Sequence, residues 1–308
     1  MAGLLGSRFG DRAALVELLH CGEMVLAPGC YDPLGARLVE EAGFPAAYMT
    51  GFGTAAGRLG RPDVGLLTLS EMVDNARRIA QAVAIPVIAD ADTGYGNPLN
   101  VIRAVREYEA AGVAAIHLED QVMPKRCGHM EGKELIGAGE MVAKVSAAVA
   151  ARRSSDFLII ARTDARAVEG LGGALDRAQR YRDAGADILF VEAPQSAEEI
   201  QEIGARFAGV PLLFNYAEGG RTPAVTHAFL RDLGFRIVIF PLSTLLVATA
   251  AMRSVLAEIR TSGTPIDVLP SMLGFDAFLE FIGVGEIREL EQRFADHEPS
   301  THRRSSRD

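Results

Sequence analysis

Eight apolar β-type runs alternate with amphipathic helical stretches along this 308-residue chain, and that alternation constrains the fold more than any other feature. The runs are Met24–Ala27, Ala46–Thr50, Pro86–Asp90, Ala114–Leu118, Phe157–Arg162, Ile188–Glu192, Pro211–Asn215 and Arg236–Phe240. Helical patterns such as Leu69–Ala82, Val101–Ala111, Gly139–Ala151, Ala174–Ala184 and Ala197–Phe207 lie between them. Several patterns close on Ala-Gly (Ala42-Gly43, Ala111-Gly112, Ala184-Gly185), where glycine takes the left-handed position after a helix. The strands are continuously apolar, which implies a parallel sheet covered on both faces. Eight βα units in about 240 residues fit a closed (β/α)8 barrel of the TIM type better than a doubly wound sheet.

Two segments fall outside the eight units. Apolar residues at Phe275, Phe278, Leu279, Ile282, Ile287, Leu290 and Phe294 recur at helical spacing, so Phe275–Phe294 reads as an added helix whose apolar stripe needs a partner. The tail His297–Asp308 is polar and rich in Ser and Arg, a composition expected to stay disordered. The expected organisation is a catalytic barrel over residues 1–270, a helical extension over 271–296 and a tail over 297–308.

A net charge of −9 argues against nucleic acid as a partner, since phosphate binding needs a basic surface. No apolar run approaches the roughly 20 residues of a spanning helix, so no membrane partner is expected. Three cysteines, Cys21, Cys30 and Cys127, form no metal-type CxxC spacing, and a disulfide scaffold is unexpected in a chain this long. The N-terminal stretch has too short an apolar core for a signal peptide. These features predict a cytoplasmic protein.

In a barrel of this kind the C-terminal strand ends collect the chemistry. The third run ends in Asp90-Ala-Asp92, the fourth in Glu119, the fifth in Arg162, the sixth in Glu192 and the seventh in Asn215. Carboxylates that converge repel one another unless positive charge compensates them. Mg²⁺ answers that need, because it takes hard oxygen ligands and usually only one or two direct carboxylates. Asp90 and Asp92 could instead cap the turn that follows, since Asp-x-Asp-x-Gly is also turn chemistry. After the fourth run comes Lys125-Arg-Cys-Gly-His129, which sets Cys127 among two cations and a histidine. Neighbouring positive charge favours a thiolate, or a thiol ready to release its proton. A partial zinc site or an inert thiol are the competing readings of Cys127 and His129. The glycine-rich stretch Gly51–Gly57 offers backbone amides to a substrate carboxylate.

Those motifs, with Leu118-Glu-Asp-Gln121, Tyr48-Met-Thr-Gly51, Leu59-Gly-Arg-Pro-Asp63 and Ile160-Ala-Arg-Thr-Asp-Ala165, resemble the isocitrate lyase/phosphoenolpyruvate mutase superfamily from about Leu15 to Phe294. Members with Cys in this loop are carbon–carbon lyases acting on 2-hydroxy acids related to malate. Carboxyphosphonoenolpyruvate mutase shares the loop, and oxaloacetate-acting relatives exist. Bacterial 2-methylisocitrate lyases carry an Arg after the barrel that holds an extra carboxylate. Ser271-Met-Leu-Gly-Phe275 has none, which favours a 2,3-dimethylmalate-like substrate.

The resemblance implies a Mg²⁺ site (Mn²⁺ as substitute) formed by Asp90, Asp92 and Glu119. It implies a catalytic group of Cys127 as general acid, Tyr48 or Asp63 as base, Lys125 and His129. Substrate contacts would come from Thr50, Gly51, Phe52, Gly128, Arg162, Glu192 and Asn215. The loop Met123–Ile136 is expected to close as a lid, with Gly128 and Gly132 as hinges. Relatives exchange a C-terminal helix and assemble as tetramers, which predicts a homotetramer built as a dimer of dimers.

Overall fold

A computed structural model describes residues 12–128, 130–220 and 222–295. Their described part divides into two compact units, 12–248 and 249–295. In the first, eight parallel strands close into a barrel in sequence order. They are β1 (Val25–Cys30), β2 (Ala47–Met49), β3 (Val87–Asp90), β4 (Ala115–Glu119), β5 (Leu158–Thr163), β6 (Ile188–Val191), β7 (Leu212–Asn215) and β8 (Phe235–Phe240). The barrel shuts where β1 pairs with β8, Val25 opposite Ile237. Helices follow the strands as the alternation predicts, and local chemistry fixes their ends. Thr68 and Glu71 form a capping box at Leu69–Ala82. Asn97 caps Pro98–Ala111, with proline in its first turn. Gly43, Gly112 and Gly185 take φ of 82°, 97° and 100° just beyond their helices.

β1 is the one strand that runs well beyond its expected end, through Pro28 and Gly29 to Cys30. Turn-type residues hide a strand here because the neighbouring backbone comes so near. A Cβ at Gly29 would lie 2.7 Å from the carbonyl oxygens of Phe240 and Pro241.

Period-two alternation sorts the strand residues into two layers. One apolar cluster joins Met49, Ala89, Ile116, Ile159, Leu189 and Phe214 to the surrounding helices. The other holds Ala27, Tyr48, Ile88, Ala115, Ile160, Phe190, Leu213 and Ile239 inside the barrel. Leu15, on the helix Arg12–His20, joins this interior cluster and is fully buried.

In the second unit, the single helix expected over Phe275–Phe294 is two, Phe275–Phe281 and Val284–Ala295. Gly283, at φ 91°, breaks the pattern, a conformation glycine tolerates and the apolar spacing does not reveal. Phe275, Phe278, Ile287 and Phe294 on these helices, and Ile282 between them, are exposed. The tail predicted as disordered lies outside the described residues. Among the described residues no helix is long and apolar enough to cross a membrane.

Candidate active site

Continuing the inward-facing parity of each strand toward its C-terminal end leads from apolar to ionisable residues. Tyr48 leads to Thr50, Ile88 to Asp90, and Ala115 to His117 and Glu119. Ile160 leads to Arg162, Phe190 to Glu192, and Leu213 to Asn215. Pairing then sets Asp90 beside His117 and Glu119 beside Arg162. The barrel walls thus deliver these six strand-end groups and His117 to one mouth.

One cleft there is lined by Tyr48, Thr50, Phe52, Asp63, Asp90, Lys125, Cys127, Gly128, Arg162, Glu192 and Asn215, with Ala217, Pro241 and Leu242. Asp92 and Glu119 are buried beside it. Asp92 does not share a strand face with Asp90: it lies past the strand end at φ 47°, and its N–H donates to Asp90 Oδ1 at 2.9 Å. Gly51 N–H donates to Asp90 Oδ2 at 3.2 Å, and Thr50 N–H to the Cys30 carbonyl at 3.1 Å. The Gly51 amide, expected to await a substrate carboxylate, is therefore already engaged within the protein, as is that of Thr50. Gly51 is needed for the close approach, since a Cβ would overlap Asp90 Oδ2.

Lys125 is the central cation. Its Nζ lies 2.6 Å from Asp63 Oδ2 and 2.8 Å from Asp92 Oδ1, with the side chain 2% exposed. Burial would lower its pKa, but Asp92, Asp90, Glu119 and Asp63 raise it well above the ordinary value. Burial also opposes ionisation of Asp90, where His117, Lys125, Arg162 and the Asp92 N–H outweigh it and hold the carboxyl below its usual range. His117 is itself pushed down to about 4, chiefly by burial, so near neutrality Lys125 and Arg162 carry that compensation. At Asp92 burial prevails, aided by Asp90 and Asp63, and the pKa rises to about 6. Burial likewise pushes Glu119 well above its normal value.

Arg162 holds the other half of the floor. It forms a two-bond pair with Asp164, Nε to Oδ2 at 2.9 Å and Nη2 to Oδ1 at 3.1 Å. Glu119 Oε2 lies 3.3 Å from its Nε and Glu192 Oε1 3.8 Å from its Nη2. Asn215 Nδ2 donates to Glu192 Oε1 at 3.1 Å. Gly128 presses onto this group: a Cβ there would overlap Glu192 Oε1 and lie 2.5 Å from Arg162 Nη2. Gly128 is thus needed for close packing against this group. Gly132, at φ 75°, keeps the backbone freedom a hinge requires.

The two cations beside Cys127 in sequence are committed elsewhere, Lys125 to the carboxylates and Arg126 Nη1 to the Glu131 carbonyl at 3.2 Å. The thiol is half-buried in the cleft wall. His129 lies outside the described residues.

Sequence reasoning passed over His117, whose Nε2 lies 2.8 Å from Tyr48 Oη and 3.6 Å from Asp90 Oδ1. Its signal was a titratable residue at inward parity in an otherwise apolar strand. Gln121 was also missed: its Nε2 donates to Glu119 Oε1 at 3.1 Å and to the Arg126 carbonyl at 2.8 Å. Asp120 faces the helices, where it accepts from Tyr181 Oη at 2.7 Å and Thr163 Oγ1 at 2.8 Å and fixes the end of β4 to β5.

The donor chemistry fits a divalent cation. Asp63, Asp90, Asp92, Glu119, Asp164 and Glu192 outnumber Lys125, Lys133 and Arg162 around this mouth. Buried Glu119 Oε2 and Asp92 Oδ1 accept no hydrogen bond, despite their nearby cations. Among the described residues no three ligand-type side chains converge on one point.

A closed parallel barrel with ionisable groups gathered at its C-terminal mouth defines a barrel enzyme. The chain belongs to the phosphoenolpyruvate phosphomutase family, whose model matches residues 15–260. It is 49% identical to 2,3-dimethylmalate lyase of Eubacterium barkeri, over 92% of this chain and 98% of that protein. It is also 49% identical to 2-methylisocitrate lyase of Aeropyrum pernix, over 89% of this chain and 88% of the relative. A solved oxaloacetate acetylhydrolase, in complex with 3,3-difluorooxalacetate, superimposes with a TM-score of 0.88 at 40% identity, covering 92% of this chain and 97% of the other. The chain stands with the lyases of the family.

Proposed function

We propose that this enzyme cleaves the C2–C3 bond of a 2-hydroxy-2-methyl dicarboxylate of the 2,3-dimethylmalate type, giving pyruvate and a second carboxylic acid. The observation that carries this reading is one cleft that combines Arg162, the thiol of Cys127 and an apolar wall of Phe52, Pro241 and Leu242. A guanidinium suits a carboxylate, and apolar side chains suit alkyl substituents. A third carboxylate would find no added cation in Ser271–Phe275, so a 2-alkylmalate is preferred over 2-methylisocitrate.

Asp90 and Asp92, with Glu119 acting through water, would hold Mg²⁺ or Mn²⁺, which supplies positive charge that favours ionisation of the C2 hydroxyl. Arg162 binds the carboxylate of the pyruvate-forming half, and Glu192 keeps the guanidinium and Asn215 in place. Asp63 fits the base better than Tyr48, whose hydroxyl burial pushes well above its ordinary pKa and which is bonded to His117. As the C2–C3 bond breaks, its electron pair moves onto C3 and into the adjoining carboxylate. Asn215 and His129 stabilise that charge. Cys127 then delivers a proton to C3 as general acid. The loop Met123–Ile136 closes over the substrate and excludes water during this step.

Cys21, Cys30 and Cys127, none in a disulfide, suit a reducing, cytoplasmic setting. The exposed apolar helices of the second unit favour a homotetramer in which each C-terminal segment docks on a partner subunit. The test of the activity is an assay with 2,3-dimethylmalate, 2-methylisocitrate and oxaloacetate. Pyruvate from the first is expected. No pyruvate from either alkylated acid overturns the lyase reading, in favour of the hydrolase if oxalate appears from oxaloacetate and of phosphorus–carbon mutase chemistry if it does not.

A further inference from the structure

Nothing in the proposed chemistry uses Lys133, yet its side chain is 2% exposed. A buried ammonium is costly unless its donors are satisfied, so its partners report what it holds. Nζ donates to the Gly128 carbonyl, five residues back across the loop turn. It also donates to Asp164 Oδ1 at 3.0 Å. Asp164 is fully buried and is the carboxylate that grips Arg162 through two bonds. Burial opposes ionisation of Asp164, but Arg162 and Lys133 outweigh it and hold the carboxyl below its usual range.

Other bonds tie the loop elsewhere, among them those of Lys125 Nζ to Asp63 and Asp92. Val122 N–H donates to the Glu134 carbonyl at 2.8 Å and Ile136 N–H to that of Asp120 at 2.9 Å. The Gln121 amide binds the Arg126 backbone on both sides, donating at 2.8 Å and accepting at 3.0 Å. None of these bonds runs to Asp164, just past β5, the side on which Lys133 holds the Gly128 carbonyl. We infer that Lys133 is the positioning residue that seats the Cys127–Gly128 segment against Arg162, coupling closure of the loop to the carboxylate-binding guanidinium.

The coupling follows from Asp164 serving two cations. With Lys133 in place, the Asp164 charge is shared, and more of the Arg162 positive charge is available to a substrate carboxylate. With the loop open, Asp164 answers to Arg162 alone. Linkage then requires the converse: a carboxylate on Arg162 loosens Asp164 for Lys133 and favours the seated loop. The inference rests on the proposed acid role of Cys127 only for its effect on turnover.

The test uses full-length protein with Lys133→Met and Lys133→Arg. Iodoacetamide labelling of Cys127 is followed peptide by peptide by mass spectrometry, with exposed Cys21 as internal reference. Lys133→Met is expected to label Cys127 about fivefold faster or more without any ligand, with the Cys21 rate unchanged. On 2,3-dimethylmalate it should lower kcat by about tenfold to a hundredfold, the effect of a misplaced catalytic group. Lys133→Arg, which keeps charge and donors, should recover most of both losses. Should Lys133→Met lose the barrel's circular dichroism, Lys133→Gln takes its place under the same readout. A Cys127 labelling rate equal to the parent's overturns the inference. Labelling needs no turnover, so a parent enzyme inactive on 2,3-dimethylmalate counts against the lyase reading and leaves the labelling result to decide Lys133.

Discussion

Lys125 Nζ lies 2.6 Å from Asp63 Oδ2, joining the loop after β4 to the segment after the helix Gly51–Leu59 across 62 positions of sequence. Both side chains are nearly inaccessible to solvent, so neither can fall back on water. The same ammonium reaches Asp92, which makes Lys125 the organiser of the carboxylate cluster as well as a part of the loop.

Lys125→Ala should therefore damage fold and function together. Removing one partner of a buried pair leaves an uncompensated charge and costs about 3–5 kcal/mol. Urea unfolding should show that loss, and turnover should vanish. Stability within about 0.5 kcal/mol of the parent, the range of ordinary surface changes, would show that the ammonium is not carrying the cluster.

Cys127→Ser should separate the two properties. The thiol packs at a cleft wall rather than in the core, so the thermal midpoint should stay near the parent's. The kcat should drop by about 10²–10⁴, the range for losing a positioned general acid. Turnover equal to the parent's would remove Cys127 from proton delivery.

Gly128→Ala adds one methyl where Glu192 Oε1 and Arg162 Nη2 already stand. The loop must lift, since both neighbours are themselves held by ion pairs. Activity should fall at least as far as in Cys127→Ser, with the barrel's melting transition retained. An active Gly128→Ala would mean that the loop does not need this close seat.

Most of the barrel and of its mouth was legible because both obey a short period. Continuous apolar runs gave the strands, and inward parity carried Asp90, Glu119, Arg162, Glu192 and Asn215 to one end. What stayed hidden depends on distance rather than pattern. Proline and glycine at 28 and 29 masked the end of β1, which only the nearby β8 backbone explains. The cations beside Cys127 looked like its activators, yet their side chains reach Asp63, Asp92 and the Glu131 carbonyl. Lys133 and Asp164, 31 positions apart, carry no sequence signal of their pairing.

Asp92 predicts a pH dependence. Its pKa in the folded protein, about 6, exceeds the ordinary value of 3.8. Between those values the native state keeps a proton that the unfolded chain releases. The unfolded state then binds fewer protons, so stability falls as pH rises through this window, by at most about 1.4 kcal/mol per unit for one group. In chelator, Asp92→Asn should match the parent near pH 4 and melt at a higher temperature above pH 6. Added Mg²⁺ should raise the parent's midpoint at pH 8 and leave that of Asp92→Asn unmoved. Equal Mg²⁺ stabilisation of both proteins would take Asp92 out of the cation site.

The last prediction concerns the second unit. Phe275 is 75% exposed and Phe294 59%, on helices too short to be stable in water by themselves. Burying side chains of this size gains about 1.5–3 kcal/mol each, so an assembly that covers them is the expected outcome. Light scattering on the intact protein should give the mass of a tetramer. The chain ended at Pro270 lacks both helices and should yield smaller, aggregation-prone species. A truncated protein with the same number of subunits as the intact one would place the assembly interface elsewhere on the chain.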